Sequence, residues 1–514
     1  MSIFLPSRTP RLALAATVVV ALAALAGCSD GTQAATAGDA DGGTYVFGVA
    51  EPDGNITPQT ASAAAAQIIV SLANASLIEV TSDGTLLPQL ATGWEASSDG
   101  LTWTVQLREG AEFSDGSAIT TQDVVESFDS IIADDSQSPA KSSFSGILDS
   151  VAAGSDDSSV VFTLDRAYSD FPYLLAGTDT YILPAGVDDT NWLQDPVGAG
   201  QFVLQSYTAG QGVVYTRNPN YWDADNVLLD GVEIKFYADT QSQLLAFQSG
   251  EIDSISASTE VTAALDTSDY REVQSGYVKF DGLTFNVDQA PFDDADVREA
   301  VAWALDRDAI VDTVYGGNGV VANDVPYFPD YGIQPEGLTQ RSQDLDKVAE
   351  LLDGRTVSFT LTTYEGEQTY AELIQQQLEA TGYFTVDLDI LTEAEYYADG
   401  DSTPWLNAAV TITDWAERLP SQYVGLIYSS TSSWNASHYA NPTLEDLSAQ
   451  FDATTDADEQ QSLTDQIAEI EWTDVPVVIA AFQESDTLLS LSVQGDFQSS
   501  RAWSQDYRGI TVSD

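Results

Sequence analysis

The amino-acid sequence predicts an α/β protein of two lobes that are joined by a crossing segment. The chain has 514 residues, 43% of them hydrophobic. This length requires more than one hydrophobic core, because a single core stops growing at roughly 250–300 residues. After residue 340, helical and strand patterns alternate along the chain, which is typical of an α/β lobe. Residues 282–317 place a strand directly before a long helix, and we interpret this stretch as the crossing between the lobes.

Within the crossing, apolar residues first alternate with polar ones and then recur at helical spacing. Leu283, Phe285 and Val287 predict a half-buried strand. Pro291 ends it, because proline has no N–H to donate to a sheet. The pattern then predicts one long helix. Aspartates cap its N-terminus, namely Asp293, Asp294 and Asp296. Glycines end it, namely Gly316 and Gly317.

Before the crossing, strand patterns outnumber helical ones. Asp99-Gly100 is a hairpin turn signal, and Thr120 with Asp123 resembles a capping box. The predicted strands are residues 44–49, 101–108, 159–164, a strand that begins within 198–204, 213–217 and 231–237, and the predicted helices include 60–74 and 241–250.

After the crossing, strands and helices alternate. The last strand is apolar throughout, which favours a buried strand that returns across the crossing. The predicted strands are residues 356–362, 385–391, 407–413 and 476–482, and the predicted helices are 346–352, 370–380, 444–451 and 461–472.

The N-terminus has the composition of a targeting segment. An apolar run follows Arg11 and ends near Ala26. It is shorter than the roughly 20 apolar residues that span a bilayer, so we interpret residues 1–27 as a signal peptide. The only cysteine, Cys28, follows small residues as in the bacterial lipoprotein box, which implies lipidation; the alternative is a chance cysteine after an ordinary signal. Residues 28–43 are Ser-, Gly- and Ala-rich and predict a flexible tether.

The chain is strongly acidic. Its formal charge of -63 comes from 80 acidic and 17 basic residues. Such a charge disfavours nucleic acid and anionic membrane surfaces as partners. We interpret it as a solubility device rather than as a site for one cationic partner.

Several motifs occur in register along the chain. They are Leu-Pro-Gln-Leu-Ala at 87–91, Asp-Gly-Leu-Thr-Trp at 99–103, Phe-Ser-Asp-Gly at 113–116, Arg-Asn-Pro-Asn-Tyr-Trp at 217–222 and Pro-Phe-Asp-Asp at 291–294. Together they resemble the extracytoplasmic solute-binding proteins of peptide-type ABC importers, family 5. Many of the motif residues predict structural roles; Arg108 and Arg298, for example, are expected to tie loops by hydrogen bonds.

The resemblance implies a two-lobed periplasmic-binding-protein-like fold of type II, in the three-domain peptide-binding form, with hinge strands between the lobes. Mapped onto this chain, residues 44–80, 198–285 and 481–514 would form domain I. Residues 81–197 would form domain II, and residues 286–480 domain III.

The same resemblance implies a receptor without enzymatic activity. It would capture dipeptides or oligopeptides between its lobes and deliver them to an ABC permease. It would be a lipid-anchored monomer on the extracytoplasmic face of the membrane. An oligosaccharide or other small solute is the alternative ligand.

Peptide-binding members hold the peptide ammonium with an aspartate that follows a domain III strand, and Asp414 matches that motif. Trp405, Trp415 and Trp434 are candidates for an aromatic wall, which suits peptide side chains and sugar faces. Each is also a candidate for core packing. Arg418, and secondarily Arg355, are candidates for a peptide carboxylate. The segment 417–420 departs from the family pattern, in which an acid more often precedes proline.

Catalysis and cofactors have little support in the sequence. His438 is the only histidine, and no Gly-x-Ser-x-Gly elbow occurs. Ser138 and Lys141 match the Ser-x-x-Lys pattern of penicillin-recognising enzymes, but the accompanying Ser-Asp-Asn and Lys-Thr-Gly motifs do not occur. We therefore expect no cofactor and no transition-metal site. A hydrolase that uses paired carboxylates is the remaining alternative, since carboxylates are abundant.

Overall fold

A computed structural model describes residues 42–187, 189–398, 400, 403–499 and 505–513. Cys28, the predicted signal peptide and residues 28–41 of the predicted tether lie outside these residues. Within the described ranges, no helix combines the length and apolarity needed to cross a bilayer.

Strands occur along the whole described chain. They are β1 (Thr44–Val49), β2 (Ile78–Val80), β3 (Leu86–Pro88), β4 (Ala91–Ala96), β5 (Thr102–Leu107), β6 (Leu148–Ala153), β7 (Ser159–Leu164), β8 (Phe202–Thr208), β9 (Gly212–Arg217), β10 (Gly231–Phe236), β11 (Ser254–Ser256), β12 (Tyr270–Phe285), β13 (Gly319–Val321), β14 (Val357–Tyr364), β15 (Phe384–Leu391), β16 (Val410–Ala416), β17 (Val477–Ile479), β18 (Ala481–Ser490), β19 (Val493–Gln494), β20 (Gln498–Ser499), β21 (Gln505–Asp506) and β22 (Thr511–Val512).

The longer helices lie mostly after β12. The α-helices are α1 (Ala64–Ala73), α2 (Thr121–Ile132), α3 (Ala140–Phe144), α4 (Phe171–Leu174), α5 (Thr240–Gln248), α6 (Thr259–Ala263), α7 (Ala295–Ala304), α8 (Arg307–Val314), α9 (Leu345–Leu352), α10 (Gln368–Ala380), α11 (Glu393–Tyr396), α12 (Pro404–Asn407), α13 (Pro420–Tyr423), α14 (Pro442–Ala453) and α15 (Ala457–Asp474).

One large sheet contains strands from both ends of the described chain. Its order is β15-β14-β16-β12-β18-β11-β1-β10-β9-β8, with β13 added to β18 and β17 added to β12. A separate sheet has the order β4-β5-β7-β6. The chain thus has the alternating helix–strand character of an α/β protein after β12 and a separate antiparallel sheet before it.

Two long neighbouring strands, β12 and β18, connect the two halves of the large sheet. The first part of β12, Tyr270 to Lys279, pairs with β18. Its second part, Lys279 to Phe285, pairs with β16, and within it Gly282 to Thr284 also pair with β17. The ladder with β18 shifts register between Gln274 and Lys279, and Gly276 adopts a φ of 99° there, which glycine tolerates because it has no Cβ. The crossing of the chain therefore begins on a long irregular strand.

Hydrophobic residues gather in several separate cores. One packs helices α7, α8 and α10 against β12, β14 and β16, through residues such as Phe285, Val301, Leu361 and Ile374. A second core covers the four-stranded sheet, with Phe128 and Phe162 in edge-to-face contact at 5.0 Å. A third lies on β1 and β8–β10. Separate cores are what a chain of this length needs.

The predicted single helix after Pro291 is wrong, because the structure has two helices there. Leu305 ends α7 in an extended conformation. Asp306 caps α8, since its side chain accepts a hydrogen bond from the Ala309 N–H at 3.1 Å. Its own N–H donates to the Gln377 side chain of α10 at 2.8 Å. Apolar spacing continues through the break, so periodicity alone does not reveal it.

Two predicted strand boundaries also change. The strand expected at 407–413 is β16, which runs to Ala416, so Asp414 lies within the strand rather than after it. Residues 404–407 form the short helix α12. The single strand expected at 476–482 is two strands, β17 and β18, separated at Ala480.

The arginines of the motifs have the structural roles that the sequence predicted. Arg108 donates to the Gln89 carbonyl at 2.9 Å and lies 3.7 Å from the ring centroid of Trp222. Arg298 donates to the carbonyl oxygens of Phe292 and Asp474. The capping box of α2 is also confirmed, with the Thr120 N–H 2.6 Å from Asp123 Oδ2.

Candidate functional site

The register between β12 and β16 brings two carboxylates together. Asp281 lies directly opposite Asp414, and Lys279 lies opposite Ala416. Side chains of directly opposed residues project from the same face of a sheet, and residues two apart on one strand do as well. Lys279, Asp281 and Asp414 therefore share one face, which Leu283 and Phe285 continue along β12.

Lys279 is the centre of a mostly buried ionic cluster on this face. Its ammonium donates to Asp281 Oδ1 at 2.8 Å and to Glu367 Oε1 at 3.2 Å. Asp281 also accepts a hydrogen bond from the Tyr315 hydroxyl at 2.8 Å. The side chains of Asp281 and Glu367 are 0% and 5% exposed, whereas that of Lys279 is 29% exposed. We call Lys279, Asp281 and Glu367 the Lys279 cluster.

Both carboxyl groups of the Lys279 cluster have raised pKa values. Burial, together with the charge of Asp281, raises the pKa of Glu367 to about 7 against the opposing effect of Lys279. Burial also raises the pKa of Asp281, although Lys279 and Tyr315 counteract it. Asp414 raises the pKa of both carboxyls through its charge. The cluster and Asp414 thus place three carboxyl groups against one ammonium.

Asp414 is oriented by tyrosines from the neighbouring elements. The Tyr364 hydroxyl, at the end of β14, donates to Asp414 Oδ1 at 2.8 Å. The Tyr397 hydroxyl, just after α11, donates to the same oxygen at 3.3 Å. Burial and the Asp414 carboxylate raise the pKa of both tyrosines, so they remain donors. Asp414 itself is half-buried and keeps access to solvent.

An unbroken series of aromatic rings leads away from Asp414. Tyr397 lies 5.9 Å from Trp405, Trp405 lies 6.2 Å from Trp434, and Trp434 lies 6.0 Å from Trp415, measured between ring centroids. Trp434 is 44% exposed, and Trp405 is partly exposed. Trp415 is 4% exposed and packs with Phe280 and Tyr423. The three predicted tryptophans therefore lie together, two at the surface and one in a core.

The predicted arginines have local contacts instead. Arg418 donates to the Ala416 carbonyl at 2.9 Å, within its own loop. Arg355 pairs with Asp294 at the start of α7 and donates to the Leu352 carbonyl at 3.0 Å. The structure thus brings Asp414 near the tryptophans, while the contacts of Arg418 and Arg355 are with other groups. Their roles toward a ligand stay predictions.

Sequence reasoning missed Lys279, Asp281, Glu367 and Tyr364. A signal for two of them was present, because Lys279 and Asp281 continue the apolar face of Leu283 and Phe285 with charged residues. A charge on the inward face of a strand must be paired. Glu367 has no such signal, since 88 residues separate it from Lys279.

Among the described residues, no group of three or more His, Cys, Asp and Glu side chains is arranged to hold a metal ion. The His438 ring nitrogen Nε2 lies 2.9 Å from the Leu406 carbonyl oxygen. The geometry offers an oriented carboxylate, Asp414, beside a buried acidic cluster, and this arrangement suits an organic ammonium group.

Comparisons with known proteins agree with this architecture. The family "Bacterial extracellular solute-binding proteins, family 5 Middle" matches residues 85–437. The nickel-binding periplasmic protein of Escherichia coli is 28% identical over 291 residues, which are 54% of this chain and 54% of that protein. The chain thus spans about half the length of this relative. The glutathione-binding protein GsiB of Pectobacterium atrosepticum is 26% identical and is matched over 83% of this chain and 86% of that protein.

Solved structures share the fold at low sequence identity. HbpA2 from Haemophilus parasuis has a TM-score of 0.80 at 23% identity, over 92% of this chain and 100% of that chain. The oligopeptide-binding protein AppA of Bacillus subtilis, in complex with a nonapeptide, has a TM-score of 0.69 at 20% identity, over 92% and 99%. The predicted fold class, a two-lobed periplasmic-binding-protein-like fold, is confirmed. With its family model matched over most of its length, this chain belongs to the bacterial extracellular solute-binding proteins of family 5.

Proposed function

We propose that this protein captures a peptide with a free amino terminus between its lobes and delivers it to an ABC permease. The observation that carries the proposal is the position of Asp414, oriented by Tyr364 and Tyr397 and opposite Asp281. A peptide ammonium that enters this face meets a carboxylate with fixed geometry. Charge-assisted hydrogen bonds of this kind are about twice as strong as neutral ones.

The charge balance of the site favours a cation over an anion. Lys279 shares this face with Asp414, and its ammonium already donates to Asp281 and Glu367. A ligand carboxylate at this point would face three carboxyl groups, which is unfavourable. The ammonium end of the ligand is therefore the end that this face recognises.

Closure of the lobes is supported by contacts between distant segments. The Ser421 hydroxyl donates to Asp170 at 2.6 Å, and the Ser169 hydroxyl donates to the Phe451 carbonyl at 3.1 Å. Arg166 pairs with Asp452 at 2.5 Å. With residues 81–197 as domain II and 286–480 as domain III, these contacts join the two lobes, and β12 and β18 act as the hinge. Ligand affinity then shifts an equilibrium between open and closed forms.

Calorimetry with a peptide panel tests this function. The panel contains tri- to pentapeptides with free amino termini, each beside its N-acetylated form. We expect several free-amine peptides to bind and their acetylated forms to bind far more weakly, because acetylation removes the charge. Equal binding of both forms would contradict the role of Asp414, and no binding by any peptide would contradict the ligand class.

An oligosaccharide is the second candidate ligand. The exposed ring of Trp434, next to Trp405, is the observation that favours it, since aromatic faces stack on sugar rings. A sugar carries no ammonium, so its binding would not depend on the Asp414 charge. Titration with an oligosaccharide panel alongside the peptides separates the two candidates.

We further propose that Cys28 carries the lipid that anchors a monomeric receptor on the extracytoplasmic side of the membrane. The support is the small-residue sequence before the only cysteine. Replacing Cys28 by Ser in the full chain should move the protein from the membrane fraction to the soluble fraction and abolish labelling by a fatty-acid analogue. Retention of the label would contradict the assignment.

A further inference from the structure

Glu367 lies behind the ammonium site proposed above without being part of its accessible surface. It ends the short 3-10 turn Glu365–Glu367 that follows β14, and its side chain is 5% exposed. Its partner is Lys279, at 3.2 Å. A ligand that contacts Asp414 therefore does not contact Glu367 directly.

Several charged or titratable groups from the surrounding elements face Glu367. Lys279 and Asp281 come from β12, and Asp414 comes from β16. Tyrosines in or directly after α8, β14, α10 and α11 complete the surroundings, and the charge of Glu367 acts on each of them. These are Tyr315, Tyr364, Tyr370, Tyr396 and Tyr397.

Among the groups just named, Lys279 carries the one positive charge. The Lys279 ammonium forms ion pairs with two buried carboxylates, Asp281 at 2.8 Å and Glu367 at 3.2 Å. Asp414 adds a third carboxyl on the same face. These groups therefore carry an excess of negative charge when every carboxyl is ionised, and a proton on Glu367 reduces that excess.

We propose that Glu367 is a positioning residue of the ammonium site that gives up its proton when a ligand cation binds Asp414, and so makes the site selective for positively charged ligand groups. This inference rests on the proposed function, because it takes Asp414 as the ligand contact. The arriving ammonium replaces the proton as the charge that balances the carboxyls. The proton passes to solvent, and no bond other than O–H is broken.

Burial and the charge of Asp281 support this inference, because they raise the pKa of Glu367 to about 7. At pH 6.5 such a group is protonated in roughly three quarters of the molecules. A bound cation favours the ionised form and lowers that pKa. Affinity must then rise with pH, because the bound state holds fewer protons than the free state.

Calorimetry in two buffers of different ionisation enthalpy measures the released protons. The probe is the free-amine peptide of the panel that binds tightest, and the protein is the wild-type chain at pH 6.5, where the peptide amine stays protonated. We expect release of roughly 0.7 proton per peptide, and a roughly tenfold rise in affinity from pH 5.5 to pH 7. In Glu367→Gln we expect no release and less than a twofold change.

Glu365→Gln is the matched control, because Glu365 is exposed in the same turn. It should keep both the proton release and the pH dependence. Peptide binding by the wild type without proton release would overturn the inference and leave the proposed function standing. Proton release that persists in Glu367→Gln would assign the proton to another group and also overturn it. No binding by any panel peptide would overturn both.

Discussion

Asp281 and Asp414 face each other directly across the antiparallel strands β12 and β16. Like charges at opposed positions destabilise a sheet, and Asp281 is 1% exposed. The arrangement persists because Lys279, two residues from Asp281, donates to it at 2.8 Å. The acidic face of this solute-binding protein is therefore held by a single lysine, and the proposed ligand ammonium would supply a second positive charge.

Replacing Asp414 by Asn should weaken binding of free-amine peptides. The variant keeps the shape of the side chain but removes the charge that receives the ammonium. We expect a loss of about 3 kcal/mol, on the order of 100-fold in Kd, as measured by calorimetry. Asp387→Asn on the exposed face of β15 is the control and should leave Kd unchanged. Undiminished peptide binding by the Asp414 variant would show that the ammonium binds elsewhere.

Replacing Lys279 by Met should destabilise the fold. It leaves Asp281 and Glu367 buried beside each other without a counter-charge, which costs about 3 kcal/mol of unfolding free energy. The pKa of Glu367 is raised, so this carboxyl is protonated in acid and ionised above about pH 7. The loss should therefore be larger at pH 8 than at pH 5, as chemical denaturation at both values will report.

Lys347→Met serves as the control for that experiment. Lys347 lies on α9 and pairs with the exposed Glu350, at 3.5 Å. Surface pairs of this kind contribute less than about 1 kcal/mol. If Lys279→Met lost no more unfolding free energy than Lys347→Met, the idea that Lys279 stabilises the buried carboxyls would be contradicted.

Glu471 makes the stability of the protein depend on pH. Its residue is 0% exposed on α15, and neither carboxylate oxygen has a hydrogen-bond partner among the described residues. Burial raises its pKa well above the ordinary value. The folded protein therefore keeps this proton while the unfolded chain loses it, and the stability that the proton provides falls as pH rises.

Glu471→Gln should remove this pH dependence, because the amide does not titrate. The difference in unfolding free energy between variant and wild type should shift in favour of the variant as pH rises from 5 to 7, by at most about 1.4 kcal/mol per pH unit. Denaturant titrations at pH 5, 6 and 7 measure it. Glu469→Gln, at an exposed position of α15, is the control, and its unfolding free energy should change with pH as that of the wild type does. If the unfolding free energy of Glu471→Gln also changed with pH as that of the wild type does, Glu471 would be ionised in the folded protein.

Local patterns predicted most of the strands and helices, because each depends on residues close in sequence. β1 and β7 have the predicted limits, Thr44–Val49 and Ser159–Leu164. The break between α7 and α8 was missed because Gln377, from a distant helix, fixes Asp306 there.

The candidate site was predicted only in part, for the same reason. Asp414 and the tryptophans lie in one stretch of sequence, so a motif brings them together. The Lys279 cluster depends on the register of β12 with β16 and on a turn 88 residues away. No local pattern contains that information, although charges on the inward face of β12 indicated that partners had to exist.

Small-angle scattering with and without ligand tests most directly whether the lobes close around a peptide. The experiment uses the free-amine peptide that binds tightest, at a concentration that calorimetry shows to be saturating, and Asp414→Asn at the same concentration as the control. We predict a smaller radius of gyration for the wild type with peptide and no change for the variant. A wild-type scattering profile that stays the same when the peptide is fully bound would contradict closure of the lobes.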